Sequence, residues 1–329
     1  MKVGIIGAGG WGTALAIQAS TKNEVSLWVY SREEYEMIIN NQRENVYYLP
    51  GVKIPENINI TENKEKITES EIIIFAVPSK YFRTIVKEFK PFINKNHILV
   101  SATKGIEYPS EKRMSEILKE ETPSKKIAVI SGPSHAEEVA RNVPTSIVTA
   151  SKDEKVAGLV QSILSTDTLR LYRHNDIVGV EVAAAFKNVI AIAAGMLRGF
   201  GLGDNTLSAL ITRGLAEIRR LGIKMGGRLE TFAGLAGIGD LIVTCISKHS
   251  RNGRTGELLA KGKDLKEIIS STKMVAEGIE TARSIPILQA RYSIELPISN
   301  MVYEVLYQGL SPEMGLKALM KRPLKHEYI

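Results

Sequence analysis

The first half of the chain alternates between short apolar runs and amphipathic segments. The apolar runs, typical of buried strands, cover residues 1–6, 24–30, 72–77, 97–102, 127–130 and 146–150. Segments that suit helices separate several of them, at residues 13–20, 33–42 and 81–92. Apolar strands that alternate with helices are typical of a parallel sheet covered on both faces.

The pattern changes near residue 178, after which we predict helices alone. Residues 180–197 are almost entirely apolar, which predicts a buried helix, and residues 206–221 are amphipathic. Further helical patterns cover residues 254–262, 264–270, 276–291, 297–308 and 311–320. The second half is therefore predicted to be all-helical.

A glycine motif lies between the first predicted strand and the first predicted helix. Gly7, Gly9 and Gly12 form G-x-G-x-x-G. In this setting the first glycine permits a tight turn, the second lets the backbone approach a pyrophosphate, and the third lets the helix pack on the strand. The helix N-terminus offers N–H groups to the phosphates. We therefore predict a Rossmann-like, doubly wound α/β dinucleotide-binding domain over residues 1–178, followed by an all-α substrate domain over residues 179–329.

The end of the second strand bears on which dinucleotide binds. An acidic residue there would hold the ribose 2′-hydroxyl of NAD. The chain instead has Tyr30 and Ser31, followed by Arg32, which favours NADP. Because Glu33 and Glu34 come next, NAD is not excluded. We expect NADP or NAD as the cofactor, with NADPH bound at least as tightly as NADH.

Lys187 lies in the most apolar predicted helix. Burial disfavours the charged form of a lysine, so its pKa should fall toward neutrality, where an amine is a competent general acid or base. The alternative is that the side chain extends to the surface and stays an ordinary lysine. Periodicity alone does not decide between the two.

Two further polar segments follow predicted strands. Lys104 comes directly after the strand at residues 97–102, and ligands bind beyond the carboxyl ends of strands in open α/β sheets. Gly132 and Ser134 follow the strand at residues 127–130. Ser134 is interpreted as the N-cap of a helix at residues 136–141, a geometry that also suits an anion. His135 is interpreted as an ordinary histidine, and the scattered histidines predict no metal site.

The helical half carries two more candidate segments. Residues 234–239 are glycine-rich but follow no strand, so they are interpreted as a close approach of helices. Asp240 at their end is either a helix cap or a ligand contact. Ser250, Arg251 and Asn252 precede a predicted helix, and an arginine beside free helix N–H groups suits a phosphate. A basic surface turn is the alternative.

Composition narrows the class of protein. A chain of 329 residues favours two domains. The net charge of +7 is spread among 36 acidic residues with no nucleic-acid motif, so we expect no nucleic-acid partner. No run of eighteen apolar residues is present, so no membrane span is expected. A single cysteine, Cys245, fits a reducing cytoplasm.

Taken in order, the motifs resemble bacterial-type NAD(P)-dependent sn-glycerol-3-phosphate dehydrogenases over nearly the whole chain. The motifs that carry the resemblance are G-A-G-G-W-G-T-A-L-A at 7–16, Y-L-P-G at 48–51, F-A-V-P-S at 75–79, A-T-K-G-I-E at 102–107, S-G-P-S-H-A-E-E-V at 131–139, E-V-A-A-A-F-K-N-V-I-A-I-A-A-G at 181–195, G-L-A-G-I-G-D-L-I-V-T-C at 234–245, S-R-N at 250–252 and V-A-E-G-I-E-T-A at 275–282.

The resemblance implies reduction of dihydroxyacetone phosphate to sn-glycerol 3-phosphate, with the product supplying glycerophospholipid synthesis. It implies Lys187 as the proton acceptor in the oxidation direction. By the same resemblance, the substrate contacts are Lys104, Gly132, Ser134, Lys187, Asp240, Ser250, Arg251 and Asn252. The implied cofactor contacts are Gly10, Trp11, Tyr48, Lys104, Ala136, Arg251, Val275 and Glu277, beside the glycines Gly7, Gly9 and Gly12 and the turn Tyr30, Ser31 and Arg32. The family commonly has serine in place of Gly10, and often His or Arg in place of Tyr30 and Ser31.

Two other functions stay open at this point. A dehydrogenase of similar architecture that acts on a hydroxy acid would need a carboxylate site in place of residues 250–252. A nucleotide sensor without catalysis would not need Lys187 buried beside Asp240. A small phosphorylated substrate is the expected partner, and a homodimer is left open.

Overall fold

The computed structural model describes residues 1–272, 274–324 and 326–327. Eight strands form one sheet with the order β3-β2-β1-β4-β5-β6-β7-β8. The strands are β1 (Lys2–Ile6), β2 (Glu24–Trp28), β3 (Ile58–Thr61), β4 (Ile72–Phe75), β5 (Ile98–Ser101), β6 (Ile127–Ser131), β7 (Thr145–Ala150) and β8 (Leu169–His174).

The sheet is mixed, whereas the sequence predicted a parallel one. All neighbouring strands are parallel except β6 and β7, which are antiparallel. The connection from β6 to β7 contains only one helix, of five residues, at Ala136–Ala140. A parallel crossover usually needs a longer helix that spans the sheet, whereas antiparallel neighbours accept a short connection. The strands that the sequence did not predict, β3 and β8, both lie at sheet edges, where polar residues interrupt the apolar run.

Helices cover both faces of this sheet. They are α1 (Gly10–Ala19), α2 (Arg32–Asn40), α3 (Lys64–Thr68), α4 (Ser79–Phe89), α5 (Met114–Glu121), α6 (Ala136–Ala140) and α7 (Glu154–Leu164), with a 3₁₀ turn at Lys90–Phe92. Side chains of successive strand residues point to opposite faces of the sheet. Ile5 and Ile74 belong to the apolar cluster on one face, and Ile6 and Phe75 belong to the cluster on the other. The doubly wound α/β class is thereby confirmed.

The rest of the described chain is helical, as predicted. The helices are α8 (Ile177–Gly199), α9 (Asp204–Lys224), α10 (Leu229–Phe232), α11 (Asp240–Ile246), α12 (Arg251–Ala260), α13 (Leu265–Ser270), α14 (Glu277–Arg283), α15 (Ile285–Tyr292), α16 (Pro297–Tyr307) and α17 (Pro312–Met320). A π-helical turn, Leu235–Gly239, leads into α11. The single helix predicted at residues 276–291 is two helices, because Pro286 in the first turn of α15 lacks the N–H that would continue α14.

α8 is the central helix of this half. Asp176 caps it by accepting a hydrogen bond from the Gly179 N–H at 2.9 Å. Near its C-terminal half α8 packs directly on α12, since a Cβ added at Gly195 would lie 1.9 Å from the Gly253 carbonyl oxygen. A Cβ at Gly256 would lie 2.0 Å from the Ile192 carbonyl oxygen. These glycines let two backbones touch, which fixes the start of α12 relative to α8.

A buried ion pair joins α8 to the sheet domain. Glu181 accepts hydrogen bonds from Arg113 Nη1 at 2.7 Å, the Ser115 N–H at 2.8 Å and Ser115 Oγ at 2.5 Å. Burial raises the pKa of Glu181, although Arg113 acts against it. Breaking a buried pair of this kind typically costs about 3–5 kcal/mol, so the contact holds α8 firmly against the N-terminus of α5.

Within the residues that the structure describes, two segments are long and apolar enough to cross a membrane, by length and composition alone. They are Ile177–Gly199 and Leu229–Ile246. In the most apolar 18-residue stretch of Ile177–Gly199, 94% of the residues are buried inside the protein, so this segment is a core helix. The corresponding stretch of Leu229–Ile246 is 44% buried. One or two such segments are weak evidence for a membrane span.

The proposed domain division at residues 178 and 179 stays a prediction.

Candidate active site

Lys187 and Asp240 form the centre of the site. Lys187 Nζ lies 2.5 Å from Asp240 Oδ1 and donates to Thr244 Oγ1 at 2.7 Å. The Lys187 side chain is 6% exposed and that of Asp240 is 1% exposed. The alternative of a surface-reaching Lys187 is therefore wrong. Asp240 begins α11, and Thr244 lies one turn along the same helix, so both point toward α8.

Lys104 reaches the same carboxylate from the sheet domain. Its Nζ lies 2.9 Å from Asp240 Oδ2 and also donates to the Gly132 carbonyl oxygen at 2.9 Å and to Ser134 Oγ at 3.2 Å. Ser134 Oγ in turn donates to the Gly132 carbonyl oxygen at 2.8 Å. The interpretation of Ser134 as a helix N-cap is wrong, because His135 occupies that position and makes no side-chain cap. The loops after β5 and β6 thus meet α11, as the carboxyl ends of strands would predict.

Burial and neighbouring charges shift the pKa values of Lys187 and Asp240. Burial lowers the pKa of Lys187 to about 7, with Asp240 acting against this and Lys104 adding to it. Burial alone would raise the pKa of Asp240, but the ammonium groups of Lys104 and Lys187 bring it below its usual value. Asp240 therefore stays charged, while Lys187 can gain or lose a proton near neutral pH.

The start of α12 lies beside this cluster. Ser250 caps α12 by accepting a hydrogen bond from the Gly253 N–H at 3.1 Å. Asn252 donates to Asn188 Oδ1 at 2.9 Å, and Asn188 donates to the Lys104 carbonyl oxygen at 3.1 Å. Arg251, the first residue of α12, is exposed. The side-chain amides of Asn252 and Asn188 thus link the backbone of Lys104 to the N-terminus of α12, which carries the exposed guanidinium of Arg251.

The glycine turn fits a dinucleotide phosphate. Gly7 has a φ of +108°, a conformation that favours glycine. A Cβ at Gly12 would lie 1.9 Å from the Gly7 carbonyl oxygen, so only glycine permits this packing. A Cβ at Gly9 would meet nothing within 4 Å, which leaves the N-terminus of α1 open, and no side chain caps that helix. The free N–H groups there suit a pyrophosphate.

Other residues predicted to line the cofactor surround this turn. A Cβ at Gly10 would lie 2.8 Å from the Tyr48 carbonyl oxygen and 3.5 Å from the Ala136 Cβ. Trp11 Nε1 is buried and, in the described part of the chain, has no hydrogen-bond partner. An unpaired buried donor beside an open phosphate site is compatible with a bound ligand.

Glu277 reaches the sheet domain from α14. Its carboxylate accepts the Ser79 N–H at 3.0 Å and also bonds Ser79 Oγ. Burial raises the pKa of Glu277. Val275 lies two residues earlier in the chain and is half-buried. The contact joins α14 of the helical half to the start of α4 in the sheet half.

The turn after β2 is more exposed than the rest of the site. Tyr30 is 66% exposed, and Ser31 caps α2 by accepting the Glu34 N–H at 3.2 Å. Arg32 pairs with Glu36 at 2.7 Å and Glu62 at 3.2 Å. The sequence did not predict these two carboxylate partners.

Sequence reasoning missed Thr244, Asn188 and Ser79. Thr244 was detectable, since it follows Asp240 by four positions and must share its helix face. Asn188 is adjacent to Lys187 and also stands in an apolar helix. Ser79 gave no signal, because its partner Glu277 lies 198 residues away.

Comparison with known proteins agrees with this geometry. A family model described as the N-terminus of NAD-dependent glycerol-3-phosphate dehydrogenase matches residues 2–157, and the corresponding C-terminal model matches residues 176–317. Glycerol-3-phosphate dehydrogenase [NAD(P)+] of Bacillus subtilis is 46% identical over 99% of this chain and 96% of its own length. The Thermoanaerobacter protein of the same name is 46% identical over 99% of each chain.

A solved structure supports the same assignment. The crystal structure of glycerol-3-phosphate dehydrogenase from Coxiella burnetii superposes with a TM-score of 0.93 at 35% identity, over 98% of this chain and 99% of that one. The likeness covers both the sheet domain and the helical half. The chain therefore belongs to the NAD-dependent glycerol-3-phosphate dehydrogenase family.

Proposed function

We propose that this protein catalyses the reversible reduction of dihydroxyacetone phosphate to sn-glycerol 3-phosphate with NADH or NADPH. Membership of the dehydrogenase family supports the reaction. The observation that carries it is the Lys187–Asp240–Lys104 cluster beside the start of α12, in a chain that also has an open glycine turn for a dinucleotide. When bound, the nicotinamide cofactor donates or accepts the hydride at C2 of the substrate.

Lys187 is proposed to move the proton that accompanies the hydride. In the oxidation direction its neutral amine removes the C2 hydroxyl proton, and in the reduction direction its ammonium returns a proton to the C2 oxygen. Asp240 and Thr244 hold Nζ in place. Lys104 and Ser134, joined at the Gly132 carbonyl oxygen, are proposed to orient the substrate oxygens.

The substrate phosphate is proposed to bind at the N-terminus of α12. Arg251 offers a charged fork of N–H donors, and Asn252 and Ser250 lie beside it. The Asn252–Asn188 hydrogen bond ties this phosphate site to α8, the helix that carries Lys187, and the Asn188–Lys104 hydrogen bond ties α8 to the loop that carries Lys104. A hydroxy-acid substrate would leave Arg251 without a phosphate to bind.

A substrate panel tests the reaction. We expect oxidation of NADH and NADPH with dihydroxyacetone phosphate, and much slower oxidation with keto acids of similar size. Turnover of a keto acid alone would identify a hydroxy-acid dehydrogenase. Cofactor binding with no turnover of any carbonyl compound would identify a nucleotide-binding protein without catalysis.

The pKa of Lys187 predicts opposite pH profiles for the two directions. Because its pKa is lowered to about 7, kcat/KM for glycerol 3-phosphate oxidation should rise with pH and level off above that value, where the amine is neutral. For reduction, kcat/KM should fall as pH rises through the same value, where the ammonium is lost. Initial rates across neutral pH in both directions provide the measurement. If kcat/KM rose with pH in both reaction directions, or fell with pH in both, the role of Lys187 would be contradicted.

Cofactor preference is proposed to depend on Arg32. Positions 30 and 31 are Tyr and Ser, so no acidic residue is present there to bind the ribose 2′-hydroxyl of NAD. The ion pairs of the exposed Arg32 with Glu36 and Glu62 are weak enough for a 2′-phosphate to displace them. We expect NADPH to bind at least as tightly as NADH, and Arg32→Glu to weaken NADPH selectively.

Dissociation constants of both cofactors test this preference. Lys152→Glu, an equal charge change near the end of β7, is the control and should leave both constants unchanged. A wild-type preference for NADH, or an equal effect of Arg32→Glu on the two cofactors, would show that Arg32 does not bind the 2′-phosphate.

The cellular role is part of the same proposal. The product would supply glycerophospholipid synthesis, in the cytoplasm, which fits the single buried cysteine Cys245. A homodimer is proposed because Ile242 and Ile246, one turn apart on α11, are 40% and 54% exposed. Cell fractionation and sedimentation velocity test the location and the assembly.

A further inference from the structure

A cavity lies in the helical half, and neither Lys187 nor Asp240 lines it. Its volume is about 260 Å³, and it lies between α8, α9, α16 and α17. Most of its lining is apolar, including Ala193, Met196, Leu210, Met301, Leu316 and Leu319. The residues of α8 that line it begin at Ala193, six positions and roughly two turns beyond Lys187. We call this space the helical-domain cavity.

Three arginines and one glutamate line the helical-domain cavity: Arg213, Arg220, Arg322 and Glu217. The Glu217 carboxylate is buried and already accepts hydrogen bonds from the Ile298 N–H at 2.6 Å, the Ser299 N–H at 3.0 Å and Ser299 Oγ at 2.9 Å. Because these donors cap α16, Glu217 is committed to the fold. The polar part of the cavity therefore has an excess of positive charge.

Arg213 is the arginine best placed to bind an anion. Arg220 donates to the Glu295 carbonyl oxygen at 2.5 Å, and Arg322 pairs with the Glu295 carboxylate at 2.7 Å. Arg213 donates to the Glu327 carbonyl oxygen at 3.3 Å and forms no ion pair with any residue that the structure describes. Among the described residues, Glu327 is the one hydrogen-bond acceptor of this half-buried guanidinium, which can bind a carboxylate in bidentate fashion.

We propose that the helical-domain cavity binds a single-chain anionic amphiphile, namely a fatty-acid carboxylate. The acyl chain lies along the apolar wall formed by α8, α16 and α17, and the carboxylate lies on Arg213. The volume of about 260 Å³ is slightly below the roughly 300–1,000 Å³ of typical ligand pockets, which limits the occupant to one acyl chain. Charge complementarity selects an anion over a neutral amphiphile.

Calorimetric titration of the full chain with laurate, below its micelle concentration, tests the proposal. We expect one laurate per chain. Arg213→Gln should weaken laurate binding by about ten- to a hundredfold, the scale of a lost charge-assisted hydrogen bond. Arg219→Gln, an equal charge change on the same helix but outside the cavity, should leave the dissociation constant unchanged. Ala209→Trp, which fills the cavity from α9, should abolish binding.

Dodecanol provides the ligand control, since it has the same chain without the charge and should bind much more weakly than laurate. Turnover of dihydroxyacetone phosphate and the thermal midpoint confirm that each variant is folded. Because laurate binding is measured without catalysis, its failure is distinguishable from failure of the proposed reaction.

Several results would overturn the proposal. They are absence of laurate binding, equal losses in Arg213→Gln and Arg219→Gln, and dodecanol affinity equal to that of laurate. If Ala209→Trp converted a dimer to a monomer in sedimentation velocity, the cavity would be an interface between two copies. If phosphatidylglycerol vesicles retained the wild type but not Arg213→Gln, while free laurate did not bind, the surface would dock to membranes instead.

Discussion

Replacing Lys187 with alanine should lower turnover by about 10²–10⁴-fold in both directions, the usual effect of losing a general acid/base. The reason is that Lys187 Nζ, whose pKa is lowered to about 7 by burial, is the group proposed to exchange a proton with the C2 oxygen of the substrate. Cofactor affinity should barely change, because the glycine turn lies on another element. Steady-state kinetics and cofactor titration provide the two measurements.

Two further variants separate chemistry from folding. Lys187→Met keeps the volume of the side chain and avoids the cavity that alanine leaves, so its turnover should fall as far as that of Lys187→Ala. Lys224→Ala, at the exposed end of α9, should retain full activity. Near-normal turnover in a folded Lys187→Met protein would show that another group moves the proton.

Replacing Arg251 with alanine should raise KM for dihydroxyacetone phosphate by about ten- to a hundredfold. The loss of a charge-assisted hydrogen bond to phosphate typically costs about 1.5–3 kcal/mol. Unphosphorylated dihydroxyacetone, if it is turned over, should be much less affected, because it lacks the group that Arg251 is proposed to bind. The measurement is the ratio of kcat/KM for the two substrates in each protein.

Arg254→Ala is the matched control for this prediction. Arg254 lies on α12, one turn after Arg251, and is also exposed. We expect its KM for dihydroxyacetone phosphate to stay near the wild-type value. Equal losses for the phosphorylated and unphosphorylated substrates in Arg251→Ala would contradict phosphate recognition. Equal effects of the two arginine substitutions would indicate a general loss of positive charge.

The buried carboxylate of Asp240 joins the two halves of the chain at the site, because it contacts one lysine from each half. Lys187 comes from α8 and Lys104 from the loop after β5, and both contact one carboxylate. The carboxylate offsets the repulsion between two ammonium groups brought close together. The pKa of Lys187 is lowered to about 7 because burial disfavours its charged form.

The amino-acid sequence by itself determined the features that depend on local geometry. The glycine turn is recognisable from local sequence because Gly7 has a φ of +108°, which favours glycine, and because a Cβ at Gly12 would not fit against Gly7. The apolar helix around Lys187 is likewise recognisable from its run of apolar residues. The doubly wound sheet and the helical second half were predictable for the same reason, and both are confirmed. The family resemblance, carried by motifs along the whole chain, is confirmed as well.

Only the tertiary structure decided which distant groups meet. Lys187 and Asp240 are 53 positions apart, and Lys104 and Asp240 are 136 apart, so no local pattern could pair them. Periodicity likewise left open whether Lys187 reached the surface, because that depends on α11 packing against its helix. The antiparallel β7 depended on the short α6, and the pairing of Arg32 with Glu62 depended on where Glu62 lies after β3, whereas its other partner Glu36 is four positions away on the same helix. Sequence patterns report the conformation of a segment, whereas ionisation and binding depend on the neighbours that packing brings to it.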